Sequence, residues 1–69
     1  MKPIQHWNTE TGTIVSTVRL QSGKIETMVF DDNGVTLFQA VHVTAAEARR
    51  VHSAMAEKYK ARAEYRSML

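Results

Sequence analysis

Hydrophobic and polar positions divide the chain into two regimes. Residues 12–43 are rich in Val, Ile, Thr and Phe and are interrupted by glycine-containing breaks. Residues 44–69 are rich in Ala, Glu, Lys and Arg and hold neither Gly nor Pro. The first composition suits strands and the second a helix. The pattern predicts strands over 13–20, 25–30 and 35–43. Gln21-Ser22-Gly23-Lys24 and Asp31-Asp32-Asn33-Gly34 read as the intervening turns, because Asn tolerates and Gly prefers a positive φ. A two-residue Ser22-Gly23 loop predicts Leu20 opposite Ile25 and Arg19 opposite Glu26.

Thr44 followed by Glu47 forms a capping-box signature. Helix propensity then stays high from Ala45 to about Arg66. Apolar residues recur at Ala48, Val51, Met55, Tyr59 and Ala63, a spacing of three or four that turns one stripe toward a core. The expected fold class is α+β: a three-stranded antiparallel β-meander followed by one long C-terminal helix. The domain would span residues 12–69. Residues 1–11 show no clear period and read as a tail that Trp7 tacks down. The last residues, Tyr65 to Leu69, are expected to fray.

Both sheet faces carry apolar residues in this reading. Ile14, Val18, Leu20, Ile25 and Val29 fall on one side, and Val15, Met28 and Phe30 on the other. Strand three adds Leu37 and Val41 to one side and Phe38 and Ala40 to the other. A one-residue slip at a turn would exchange the faces. One helix covers one face, so the other needs a second polypeptide or a fold-back of the tail with Ile4 and Trp7.

Composition narrows the classes. With 69 residues the chain is one small domain, and such domains commonly need a staple. It has no cysteine, which excludes disulfides and zinc–thiolate sites. Self-association as a homodimer, or a protein partner, is the remaining staple. Lys plus Arg is 9 against 7 for Asp plus Glu, and a net charge of +2 is too small to dictate a nucleic-acid or membrane partner. The N-terminal stretch has no apolar run typical of a secretory signal, and no segment approaches the length of a spanning helix. The cytoplasm is the expected location.

Candidate chemistry is sparse. The helical half holds six basic residues against three acidic ones. Arg49, Arg50, Lys58 and Arg62 are its candidate nucleic-acid contacts. Glu47 with Arg50 and Glu57 with Lys60 stand three apart, however, which favours a solvated, salt-bridged face. His42 and His52 flank the strand–helix junction, and His52 lies beside the apolar stripe. A satisfied boundary histidine accounts for it more simply than a proton shuttle or pH switch. Asp31, Asp32 and Asn33 lack the downstream carboxylate of a calcium loop. Ser16 and Thr17 lie within a strand, without a nucleophile elbow. No glycine-rich phosphate cradle exists. Neither catalysis, a cofactor nor a metal is expected.

Val15-Ser16-Thr17-Val18 with Leu20, then Glu26-Thr27-Met28-Val29-Phe30, then Thr44 followed by Glu47-Ala48 and His52, form a recognisable series. It resembles a family of small uncharacterised proteins of actinobacteria and their bacteriophages, over about residues 14–55. The chain differs in its short Gln21–Lys24 connection, where that family often carries a longer Gly/Pro-containing insert. The resemblance implies a phage or prophage accessory protein in a bacterial host cytoplasm and carries no established activity.

The expectation from sequence is a non-enzymatic accessory protein that binds a host or phage protein as inhibitor or adaptor and self-associates through its sheet. Val15, Met28, Phe30 and Phe38 are the expected contacts. The alternatives are a small DNA- or RNA-binding protein using the basic helix, and a virion or assembly component.

Overall fold

The structure is a computed structural model that describes residues 2–64. Its elements are β1 (Ile4–Trp7), β2 (Ile14–Arg19), β3 (Ile25–Phe30), β4 (Thr36–His42), α1 (Ala45–Lys58) and β5 (Ala63–Glu64). The strands form one antiparallel sheet in the order β4-β3-β2-β1-β5. The α+β class holds, but the expected three-stranded meander is corrected to five strands, four of them substantial.

The added strands come from segments where short-range pattern is weak. Residues 4–7 form β1 and pair with β2, Ile4 opposite Thr17 and Trp7 opposite Ile14. The segment expected to be a tail is thus an integral strand. It lies edge-on beside β2 and leaves the face opposite the helix uncovered. Asn8 closes the β1–β2 turn: its side-chain oxygen accepts from the backbone N–H groups of Glu10 and Thr11 at 2.8 and 3.1 Å. Its side-chain amide donates to the Tyr59 carbonyl at 3.0 Å, tying this turn to the helix C-terminus.

The β2–β3 register is one residue away from the expected one. Arg19 lies opposite Ile25 and Val18 opposite Glu26. A two-residue Ser22-Gly23 turn of the favoured primed type would need a positive φ at Ser22. Gly23 instead takes φ +89°, and its N–H donates to the Leu20 carbonyl at 3.0 Å while the Leu20 N–H donates to Lys24 at 2.8 Å. This is a three-residue loop ending in a left-handed glycine. The same pattern recurs at Asp31–Val35, where Gly34 has φ +81°.

The shift decides which β2 side chains share the helix-facing side of β3. Val15 and Val29 are both 0% exposed and face α1, whereas Ile14, Met28 and Phe30 turn to the opposite, open face. Val15, Val29 and Ala61 form the core cluster, with Phe38, Met55, Ala56 and Tyr59 packed on it. An irregularity between Val29 and Phe30 leaves Leu37 as an extra residue in β4, so Phe30 faces Thr36 and Val29 faces Phe38.

The helix is 14 residues long, not the roughly 22-residue rod that propensity suggests. Lys60 takes φ +53°, its N–H donates to Glu57 at 3.2 Å, and the Ala61 N–H reaches back to Ala56 at 2.8 Å. These bonds form a Schellman ending, here with lysine where glycine is usual. The tertiary gain overrides local preference. Ala61 is buried against the core, and Ala63 and Glu64 pair with Trp7 and His6. Residues 65–69, with Arg66 and the expected fraying end, lie outside the described residues. At the other end Thr44 caps α1, accepting the Glu47 N–H at 3.2 Å. The Glu47 carboxylate does not complete the box but lies 3.6 Å from His42.

Candidate functional site

Two features stand out: a polar chain buried beneath α1, and the exposed edge of the sheet. The chain begins on β1. His6 Nδ1 lies 2.8 Å from His52 Nε2, and His52 Nδ1 lies 2.7 Å from Thr17 Oγ1. Thr17 Oγ1 is 2.9 Å from Thr27 Oγ1, which is 3.1 Å from His42 Nε2. His42 Nδ1 then faces Glu47 Oε1 at 3.6 Å, an electrostatic contact too long for a hydrogen bond. Four strands and the helix are linked side chain to side chain.

Thr17 and Thr27 are both 0% exposed, and His42 and His52 are also buried. The two threonines are direct cross-strand partners on the helix-facing side. They come together only in the observed register; the expected one places Thr17 opposite Met28.

With neutral histidines the hydrogens of the chain can all run in either direction, and the Glu47 carboxylate favours one of the two. Each hydroxyl has one hydrogen to donate, and a carboxylate only accepts. Glu47 favours a hydrogen on His42 Nδ1, which leaves Nε2 to accept from Thr27. Thr27 accepts from Thr17, Thr17 from His52 Nδ1–H, and His52 Nε2 from His6 Nδ1–H. Every link is then satisfied in one direction. His52 is pushed down from the usual 6.5 to about 4, chiefly by burial and then by the His6 charge. The histidine read from sequence as a satisfied boundary residue sits at the centre of the interface.

The Thr17–His52–His6 series resembles a hydroxyl nucleophile, a base and a third group orienting that base. Thr17 is sealed under the helix, so no substrate reaches its hydroxyl in this conformation. Among the described residues, no three His, Cys, Asp or Glu side chains gather as a metal site. No helix there is long and apolar enough to cross a membrane.

The remaining candidates scatter. Val15 is sealed beneath α1 and Phe38 packs on the same core, whereas Met28 and Phe30 stand half-buried on the open face. Arg49, Arg50, Lys58 and Arg62 are exposed, and Arg62 lies beyond the helix. A depression of about 320 Å³ beside Trp7, Glu10, Lys60 and Arg62 is open and polar-lined.

The second feature escaped the sequence reading. Val35, Leu37, Val41 and Val43 are 55%, 42%, 51% and 79% exposed, and all four lie on or beside β4. That strand ends the sheet. The alternation of Val, Leu, Val and Val was legible in the sequence; that it borders the sheet was not. Compared with protein-family models, curated proteins and solved structures, the chain matches none.

Proposed function

We propose that this protein is a non-catalytic interaction module that takes up an extended strand of another polypeptide along β4. The exposed aliphatic side chains of Val41 and Val43 on the open face of an edge strand, with Leu37 at its bulge, support this reading. An unpaired edge presents a row of backbone donors and acceptors, and neighbouring side chains select what adds to it. The residues over 35–43 include no charged group, proline or glycine. The strand that fits is therefore extended, uncharged and aliphatic on one face. The open face continues inward from this edge through Met28 and Phe30. As an accessory protein of the phage type, the module would act on a host or phage protein as inhibitor or adaptor.

The test is selection of a displayed random nonapeptide library against the immobilised full chain. Enriched peptides alternating in apolar residues, whose binding Val41→Lys abolishes and Arg50→Glu leaves intact, support the proposal. No enrichment, or equal binding to Val41→Lys, overturns it. A gel shift with duplex DNA or RNA that weakens steeply with salt, as phosphate contacts require, would favour the basic residues instead.

A further inference from the structure

We infer that Asn33 is a site of spontaneous covalent modification, in which its side chain closes onto the backbone nitrogen of Gly34 and the amide becomes a carboxylate. The inference does not depend on the strand-addition reading.

The chemistry needs an unrestrained carboxamide followed by an unshielded backbone nitrogen. The Gly34 nitrogen forms a bond to Asn33 Cγ and gives up its proton, the Cγ–Nδ2 bond breaks, and Nδ2 leaves as ammonia. The resulting five-membered succinimide then takes up water. Opening at Cγ gives aspartate. Opening at the main-chain carbonyl gives isoaspartate, which carries an extra methylene in the backbone. Neither an oxidant nor a reductant is required.

The chain holds two asparagines, Asn8 and Asn33, and the fold treats them oppositely. Asn8 is locked: its side-chain oxygen accepts from Glu10 and Thr11, and its amide donates to the Tyr59 carbonyl at 3.0 Å. The nitrogen it would need belongs to Thr9, whose β-branched side chain crowds the approach. Asn33 is exposed in the loop between β3 and β4, and among the described residues no group bonds to its carboxamide. Gly34 has no Cβ to shield its nitrogen, and nothing lies within 4 Å of the place where one would sit.

Asp31 holds this loop. Its Oδ1 accepts from the Asn33 and Val35 N–H groups, both at 2.9 Å, and its carbonyl accepts from Gly34 at 3.0 Å. Only the last of these bonds must open to free the reacting nitrogen. It lies at an exposed loop tip, where local opening costs least. The products place a third carboxylate beside Asp31 and Asp32, and isoaspartate lengthens the main chain just before β4.

Incubation of the full chain in mildly alkaline buffer, followed by peptide mapping with electron-transfer fragmentation, tests this. Loss of the amide is expected at Asn33 and not at Asn8, with isoaspartate in excess of aspartate. The rate should rise with pH, because the attacking nitrogen must lose its proton. Amide NMR changes should be confined to the loop and the start of β4. Asn33→Gln, whose extra methylene disfavours the five-membered ring, should keep its amide. An Asn33 amide that persists while the free peptide of residues 29–37 converts overturns the inference. Equal conversion at Asn8, or aspartate formed without isoaspartate, overturns it as well.

Discussion

His6 Nδ1 and His52 Nε2 lie 2.8 Å apart, joining the first strand to the middle of the helix. This contact gives an N-terminal segment of weak pattern a specific anchor. It also places two titratable rings edge to face, with centroids 5.1 Å apart. The pair can share one added proton through this bond; a second leaves two donors facing each other.

Acid is therefore expected to destabilise the protein through His52. Its folded pKa of about 4 lies below the ordinary 6.5, so the unfolded chain binds the proton first. The stabilising contribution is complete above the unfolded value and is lost as pH falls from about 6.5 toward 4, by at most about 3 kcal/mol. Urea midpoints measured across this window should fall for wild type and fall less steeply for His52→Gln. Parallel profiles would contradict the assignment.

The direction that Glu47 favours in the buried chain predicts three tautomers. Nitrogen NMR at neutral pH should find hydrogen on Nδ1 of the neutral forms of His6, His42 and His52. Glu47→Gln weakens the preference at His42, because an amide both donates and accepts. Hydrogen on Nε2 of His52 would refute the direction deduced here.

Thr27→Val removes the hydroxyl between Thr17 and His42 while preserving shape. Stranding buried polar partners costs about 1–3 kcal/mol. Thr27→Ser, which keeps the hydroxyl, should recover most of the loss in denaturant unfolding. Equal stability of the two variants would show that the chain contributes little.

Glycine substitutions should separate crowding from backbone strain. At Gly12, with φ +77°, an added Cβ would sit 2.8 Å from Asp32 Cβ, whereas at Gly34 it meets open space. Gly34→Ala should lose about 1 kcal/mol from its positive φ, and Gly12→Ala distinctly more. Thermal unfolding of the two variants gives the order directly.

Lys60→Gly should stabilise the fold by about 1 kcal/mol, since lysine occupies a left-handed position that glycine adopts freely. An unchanged or lower melting temperature would mean that the lysine side chain offsets its backbone strain.

The sequence by itself determined the elements whose signals are local. β2, β3 and β4 follow from β-branched and aromatic runs, and the start of α1 from Thr44, whose hydroxyl must accept a freed N–H. Tertiary structure decided what depends on distant partners. Residues 4–7 became a strand because β2 had an edge to offer, and α1 stopped at Lys58 because Ala61 gains more by burial than by another helical turn. The β2–β3 register turned on the φ of Ser22 and Gly23, a difference of one loop residue that reverses every side chain. That reversal brought Thr17 of β2 to the side of Thr27, His42 and His52 beneath the helix and turned Ile14 to the open face with Met28 and Phe30. Such a site is invisible to pattern alone, because its members share no spacing along the chain, only a side of the sheet.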